Sequence, residues 1–553
     1  MNPIEPSATS PEMVWSGWGD PARRRPLPES ASAFLKQEIG WSGRATLPVA
    51  LDAVRLRESA LPPESLALFA SIVGAGNVRT DRECRVVHAG GKSYPDIWRR
   101  RTGDAESAPD AVVFPNSHDE VQSVLSLCAK SGVAIVPFGG GTSVVGGVEP
   151  LRGRFSSVIA LDLSRMRRLL SLDAQSHVAI LEPGLRGGEA EALLATQGMT
   201  LGHFPQSYEY ASIGGYVATR SAGQASTGYG RIDDLVTAVR VATPAGELRV
   251  GRGPASAAGP DLRELIVGSE GTLGVITEVS LQLHSRPHKR AFEGWFFRSW
   301  REGTQAFQRL AQEQCAPDVC RLSDADESRT NLALAGLSHA KERLLNGYLG
   351  LRGYRGGCLA IVGWEGTGSS VKVRKTASRA VLASAGGLRL GASIGNAWEH
   401  GRYHGPYLRD ELMDRGIFIE TLETAATWSG LHPLYDAVRG ALQKTLAARG
   451  TPPLVLCHVS HLYESGASLY FTFLANQEEG AELAQWRAAK TAACEAIVSC
   501  GATITHHHAV GTDHAPYYPQ EIGALGVAAM RAVKTTLDPH GILNPGKLLV
   551  QSI

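Results

Sequence analysis

The sequence predicts an α+β protein of more than one domain, on three observations. From Ala108 to about Leu283, short β-branched runs alternate with Gly/Pro turns. From about residue 286 to 505, longer amphipathic stretches are mixed with strand-like runs. Glycine is also in excess: 62 of 553 residues, about 11% against a usual ~7%. With no Gly-X-Y period and only 29 Pro, collagen is excluded. A composition of 43% hydrophobic and 20% charged residues excludes wholesale disorder. At ~150 residues per domain, the length accommodates roughly three to four units. The extra glycine therefore belongs in turns, close backbone approaches or ligand cradles.

In chain order, residues 1–107 are Pro- and Arg-rich and weakly periodic, with Trp15, Trp18 and Trp41 as anchors. Strands are predicted at 111–114, 133–136, 158–161, 178–181, 236–241 and 274–277. Ser117, followed by Asp119 and Glu120 and then by Val121, Val124, Leu125 and Cys128, predicts a capped amphipathic helix to residue 129. The block 108–286 is thus α+β or α/β. Residues 287–505 read as a second α+β domain, with helices at 304–314, 339–349 and 481–498 and strands at 359–363 and 468–473. From 506 to 553 follow a His-rich loop, a helix near 524–534 and a Pro/Gly tail.

Lys+Arg 55 against Asp+Glu 54 gives +1, so no global field recruits nucleic acid. Eleven Lys against 44 Arg reads as a source preference. The eight Cys form no C-x-x-C pair and no zinc spacing, as expected of a reducing compartment. Met1-Asn2-Pro3-Ile4-Glu5-Pro6 lacks the basic and apolar regions of a signal peptide. No apolar run reaches the ~18 residues of a membrane span, and Gln551-Ser552-Ile553 is no peroxisomal tripeptide. A cytoplasmic protein is expected.

The densest glycine cluster is Pro137-Phe138-Gly139-Gly140-Gly141-Thr142-Ser143, continuing to Gly146-Gly147, directly after a predicted strand. Successive backbone N–H groups there can converge on a pyrophosphate. It is not a Rossmann fingerprint, because Val144 stands where the last Gly belongs. Three further segments offer small or hydroxyl residues: Glu182-Pro183-Gly184, Pro205 to Ala222, and Gly268-Ser269-Glu270 on to Glu278. Singly, each reads as a turn.

In this order, these segments resemble the FAD-binding flavoproteins of the vanillyl-alcohol oxidase/PCMH type. The resemblance implies a two-part FAD-binding domain (108–286) with a separate α+β substrate cap (287–505). It implies FAD pyrophosphate at Pro137, Phe138, Gly139, Gly140, Gly141, Thr142 and Ser143. Further FAD contacts are implied at Gln206, Ser207, Tyr208, Glu209, Tyr210, Ala211 and Ser212, and at Thr219, Arg220, Ser221 and Ala222. The last set is Glu270, Gly271, Thr272, Leu273, Gly274, Val275 and Ile276. Some family members attach the flavin to a His near the glycine loop; Thr142 and Ser143 here imply non-covalent FAD.

Thr505-His506-His507-His508-Ala509-Val510-Gly511 puts three imidazoles in one loop. Adjacent side chains of an extended loop point alternately, so they are not expected to chelate one ion, and no metal is expected. Imidazoles near neutral pKa suit proton transfer. With Leu469-Tyr470-Phe471 upstream, the triplet resembles that of the alkyldihydroxyacetonephosphate synthases, a similarity running from Trp15-Ser16-Gly17-Trp18-Gly19 to Leu537-Asp538-Pro539. The resemblance implies a catalytic Tyr470, a substrate-binding Arg409, an Arg321 needed for activity, and functional His506, His507 and His508. The implied reaction exchanges the acyl chain of an acyl-glycerone phosphate for a long-chain fatty alcohol, the carbon being held on flavin N5 in between. A homodimer with some contact to a membrane surface is implied as well. A phosphate head suits the bidentate donors of Arg, whereas a Tyr at its usual ~10 is a poor base and needs help.

The alternative is an FAD-dependent 2-hydroxy-acid dehydrogenase, whose relatives carry an H-x-x-G-D-G-N-x-H metal motif and an E-H-G loop. Here, allowing one extra residue, the stretch from His461 places Tyr470 at the second ligand position, and if His508 matches the His of the E-H-G loop, His507 replaces the Glu before it. Both count against it, although Leu543-Asn544-Pro545-Gly546-Lys547 resembles those dehydrogenases. Trp398-Glu399-His400-Gly401-Arg402 departs from the synthases.

Overall fold

The computed structural model describes residues 4–6, 12–334 and 339–549. Met1-Asn2-Pro3 and Gln551-Ser552-Ile553, read above for targeting signals, lie outside them. The block left open as α+β or α/β contains both kinds of sheet. A four-stranded sheet runs Val78–Arg79, Ala111–Val113, Ser157–Asp162, Val133–Phe138. Its last three strands are parallel, as their crossover through the helix His118–Ser131 requires. Ser117 caps that helix by accepting from the Glu120 N–H at 3.2 Å, and Gly132 ends it at φ 65°. Next comes an antiparallel five-stranded sheet, Leu169–Asp173, Val178–Leu181, Val275–Gln282, Val236–Thr243, Gly246–Val250. Each sheet has its own buried cluster.

The cap is one antiparallel seven-stranded sheet: Leu388–Gly391, Lys289–Phe297, Cys358–Gly366, Val319–Ser323, Leu454–Leu462, Gly466–Asn476, Ile417–Thr427. Phe418, Phe471 and Phe473 pack with the helices Leu431–Ala448 and Glu482–Ser499 in its core. Each such fully buried Phe contributes about 1.5–3 kcal/mol. Because strand side chains alternate, the positions between them, Tyr470 with its neighbours Glu423 and His458, lie on the other face, while Glu420 beside Phe473 accepts from Trp486 on the helix face. Ile417–Thr427 and Leu454–Leu462 carry Glu420, Thr421, Glu423 and Thr424, and His458, Ser460 and His461. Those polar positions hide the strands from a hydrophobicity reading.

The segment before residue 108 is shared between the domains. Its helices Glu29–Ile39 and Tyr94–Arg101 enter the cap core through Leu35, Ile39, Tyr94 and Trp98. Phe69 and Val73 of Pro63–Val73 join the parallel-sheet core instead. Trp18 is buried edge-on to Tyr210 at 5.7 Å, and Trp41 donates to the Arg415 carbonyl at 2.8 Å. The C-terminal helical stretch Tyr518–Leu537 is interrupted at Gly523, whose φ of 71° is not helical, so the helix expected from 524 begins where the sequence placed it and runs on to Leu537. The tail returns to the parallel sheet, where Asn544 N–H donates to the Ile135 carbonyl at 2.7 Å. Among the described residues no helix is long and apolar enough to cross a membrane.

Candidate active site

A cleft between the two sheets of the first domain brings all four of the glycine-bearing segments together, Pro183 included. Pro137, Phe138, Gly139, Ser143, Ser212, Thr219, Glu270, Gly271, Gly274, Val275 and Ile276 line it. At Gly140 an added Cβ would lie 1.9 Å from the Tyr210 carbonyl oxygen, and Gly141 sits at φ 64° with Phe138 against it. The glycine run is therefore also required by the loop that packs on it. The small residues and backbone groups of this lining fit a long flat ligand such as FAD, and its one titratable side chain is Glu270. Burial raises the Glu270 carboxyl to about 7, against hydrogen bonds that lower it. Its oxygens accept from the Val510 and Gly511 N–H groups at 2.9 and 2.7 Å, so the far end of the His loop is tied to the cleft wall.

Several residues implied for the cofactor have side chains engaged elsewhere. Gln206 is exposed, Tyr208 stacks on Tyr403 at 5.3 Å, and Glu209 pairs with Arg23 at 2.6 Å. Tyr210 accepts from the Asp20 N–H at 3.1 Å. Ser207 and Ala211 belong to the same strap, the Ala211 carbonyl accepting from the Gly187 N–H. Arg220 is in the left-handed region at φ 51° and pairs with Asp233 and Glu264. The Ser221 hydroxyl lies 3.0 Å from His203 Nε2, Ala222 is buried, and Thr272 donates to the Ser269 carbonyl. Leu273 is core. Thr142 is half-buried in the glycine loop, and Ser143 caps that loop, its hydroxyl accepting from the Gly147 N–H at 2.9 Å.

Opposite the cleft, one face of the cap sheet collects the reactive side chains. The register places Glu423, Tyr470 and His458 directly across from one another on three adjacent strands. The Tyr470 ring stacks on His458 at 4.8 Å and meets His508 edge-on at 5.4 Å. Burial raises the Tyr470 phenol to about 12, so on its own it is a weaker acid than a free tyrosine. Arg321, on the next strand, donates to Glu327 at 2.9 Å and lies 3.1 Å from His458 Nδ1. Burial would raise Glu327, but His458 and Arg321 beside it hold it down to about 2.

Arg409 comes from the helix Gly405–Met413. One of its amino groups donates to the Lys92 carbonyl at 2.6 Å, while Nε and the other amino group are buried without a hydrogen-bond partner. Tyr470 is among the groups that act on it electrostatically. Nε stands 3.9 Å from the Asp410 carboxylate, so the amino group without a hydrogen bond is the donor that an anionic head would satisfy.

The His loop is organised by Glu423, a residue with no part in any sequence motif. Its carboxylate accepts from the Thr505 hydroxyl at 2.6 Å and from the N–H groups of His506, His507 and His508 at 2.5, 3.0 and 2.7 Å. Burial opposes the charge, but the imidazoles beside it and Thr505 hold its carboxyl well below the usual range. Two expectations about the triplet are corrected. The rings do not diverge, since three successive N–H groups on one carboxylate curl the loop and bring His506 Nδ1 within 3.0 Å of His507 Nδ1. Nor do they titrate near neutrality: burial lowers all three, His507 to about 3, so they are neutral imidazoles. A glutamate at 423 between Leu422 and Thr424, and a His at 458 among apolar residues, were the signals available beforehand.

Residues 109–251 match the FAD binding domain model and residues 286–548 the C-terminal domain of FAD linked oxidases. With the two-sheet cleft and the cap, these define an FAD-dependent enzyme with a PCMH-type cofactor domain. The Dictyostelium discoideum alkyldihydroxyacetonephosphate synthase is 31% identical over 97% of this chain and 93% of its own length. The Trypanosoma brucei brucei enzyme of that name is 32% identical over 97% and 92%. A solved alkyldihydroxyacetonephosphate synthase structure superposes with a TM-score of 0.84 at 29% identity, covering 97% of this chain and 99% of that one. The chain belongs to the alkyldihydroxyacetonephosphate synthase family.

Proposed function

We propose that this protein forms the ether bond of an alkyl-glycerone phosphate, replacing the acyl chain of an acyl-glycerone phosphate with a long-chain fatty alcohol. The observation that carries this is Arg409, with two buried donors that make no hydrogen bond and Tyr470 among the groups that act on it. Residues 108–286 hold the cofactor, 287–505 the substrate, and 506–553 close the site between them. Arg409 binds the phosphate and fixes the glycerone C1 near Tyr470. When bound, FAD supplies an electron-accepting ring that needs no net oxidation of the substrate. Tyr470 Oη is placed to move the C1 proton. Since burial holds its phenol near 12, the groups that favour its ionised form are the Thr421 hydrogen bond and the nearby Arg321 cation. Arg321, locked by Glu327, presents a fixed cation next to His458. Homodimerisation and contact with a membrane surface fit a substrate with two greasy chains and belong to the same proposal.

The test is headgroup discrimination. The wild type prefers acyl-glycerone phosphate over its dephosphorylated analogue, and in Arg409→Lys that preference collapses. An undiminished preference in Arg409→Lys would remove Arg409 from phosphate binding.

A further inference from the structure

Beyond the transferase chemistry, the cap holds an imidazole cluster with the geometry of a metal site. His461 comes from the strand Leu454–Leu462, while His506 and His507 come from the loop curled round Glu423. One ring nitrogen of each lies within 4.8 Å of the other two. The ring centroids form a triangle with sides of 4.8, 5.2 and 5.2 Å. We propose that His461, His506 and His507 bind one divalent transition-metal ion of the zinc class, tying the cap sheet to the His loop.

The distances support this ligand set. Nitrogens ~2.0–2.1 Å from a tetrahedral zinc lie ~3.3 Å apart. His506 Nδ1 and His507 Nδ1 are already 3.0 Å apart. Two nitrogen atoms facing one another at that distance can share at most one proton, or point both lone pairs at one cation. The remaining nitrogens are also provided for, as metal-binding imidazoles require. His506 Nε2 meets the Tyr463 hydroxyl at 2.5 Å. His461 Nδ1 lies 2.8 and 3.1 Å from the hydroxyls of Ser460 and Ser468, and its Nε2, which donates to the Gly223 carbonyl, would exchange that proton for the ion. The Gly223 carbonyl, 3.2 Å from that Nε2, offers an oxygen for a fourth position. The Glu423 carboxylate stands 3.5 Å from His507 Nδ1 and supplies compensating negative charge. Three neutral imidazoles with an open or oxygen-filled fourth position make a ligand set that suits zinc.

The experiment uses the full-length flavoprotein, purified without a polyhistidine tag and stripped with a chelator. Zinc chloride is titrated by calorimetry, with metal content then read by mass spectrometry and cobalt(II) used as a visible probe. One saturable equivalent per chain is expected, with the absorption of a tetrahedral cobalt site. His461→Ala and His507→Ala should each weaken binding by ~10-fold or more, with flavin stoichiometry confirming that each variant is folded. No saturable binding by the wild type overturns the proposal, leaving the three imidazoles a hydrogen-bonded chain from Tyr463. Equal binding by either folded variant also overturns it, since the ion would then sit elsewhere. Metal stoichiometry is read without any ether-forming assay, so it stands or falls separately from the proposed reaction.

Discussion

The cofactor cleft and the cap face opposite it are built by different means. The cleft is made of backbone and small residues from a few contiguous loops, with Glu270 as its one titratable side chain. The cap face is made of large polar side chains, Arg321, Arg409, Glu423, His458, Tyr470 and the His triplet, brought together from strands, a helix and a loop. A long flat cofactor needs close backbone approach, which contiguous glycines supply. Proton transfer and phosphate binding need directed side chains, which a twisted sheet can gather from nearly two hundred positions of sequence. The carboxylates differ in the same way: burial dominates at Glu270, whereas neighbouring groups that favour the ionised form win at Glu327 and Glu423.

The largest effect that separates the regions is Tyr470→Phe. Ether formation should fall ~10²–10⁴-fold while the bound-flavin spectrum is unchanged; a comparable loss of flavin would mean that the cap face also builds the cleft. Next is Gly140→Ala, where the new Cβ would overlap the Tyr210 carbonyl. It should cost about 1–3 kcal/mol in thermal stability together with flavin occupancy, measured by melting and by absorbance ratio.

The carboxylates make a third test through pH. Glu270 is raised to about 7, so the folded state holds a proton that the unfolded chain releases near ~4.3. Stability should therefore fall as pH rises from about 4.5 to about 7, and Glu270→Gln should flatten that slope. Glu327 is depressed to about 2, so its contribution is present above ~4.3 and lost as pH falls toward 2. Glu327→Gln should flatten the acid limb instead. Melting temperatures across pH for the two variants should thus deviate from wild type on opposite sides. The smallest effect is Glu209→Ala: its pair with Arg23 is partly exposed, worth ~0–1 kcal/mol. Unchanged flavin affinity would place the Gln206 to Ala211 strap outside the cofactor contacts, and a marked loss would place it among them.

The cleft was the more legible region. Four glycine-bearing segments announced it, and the Ser117-capped helix and several of the strands around it follow from local pattern. The second role of Gly140, making room for Tyr210, was not legible, because it depends on a loop seventy residues away. On the cap, residue spacing alone gave nothing for Tyr470 or Arg409; resemblance singled them out. Glu423 and His458 stayed hidden because a polar residue in a strand breaks the apolar pattern by which strands are read. The curl of the His loop was missed for the same reason, since the carboxylate that imposes it is over eighty residues upstream.

The most direct measurement mixes the purified flavoprotein, without oxygen or any electron acceptor, with an acyl-glycerone phosphate and a labelled long-chain alcohol. Ether synthesis predicts labelled alkyl-glycerone phosphate, one fatty acid released per ether formed, and a flavin that ends oxidised. No labelled ether, with the flavin bleached instead by a 2-hydroxy acid, would contradict it.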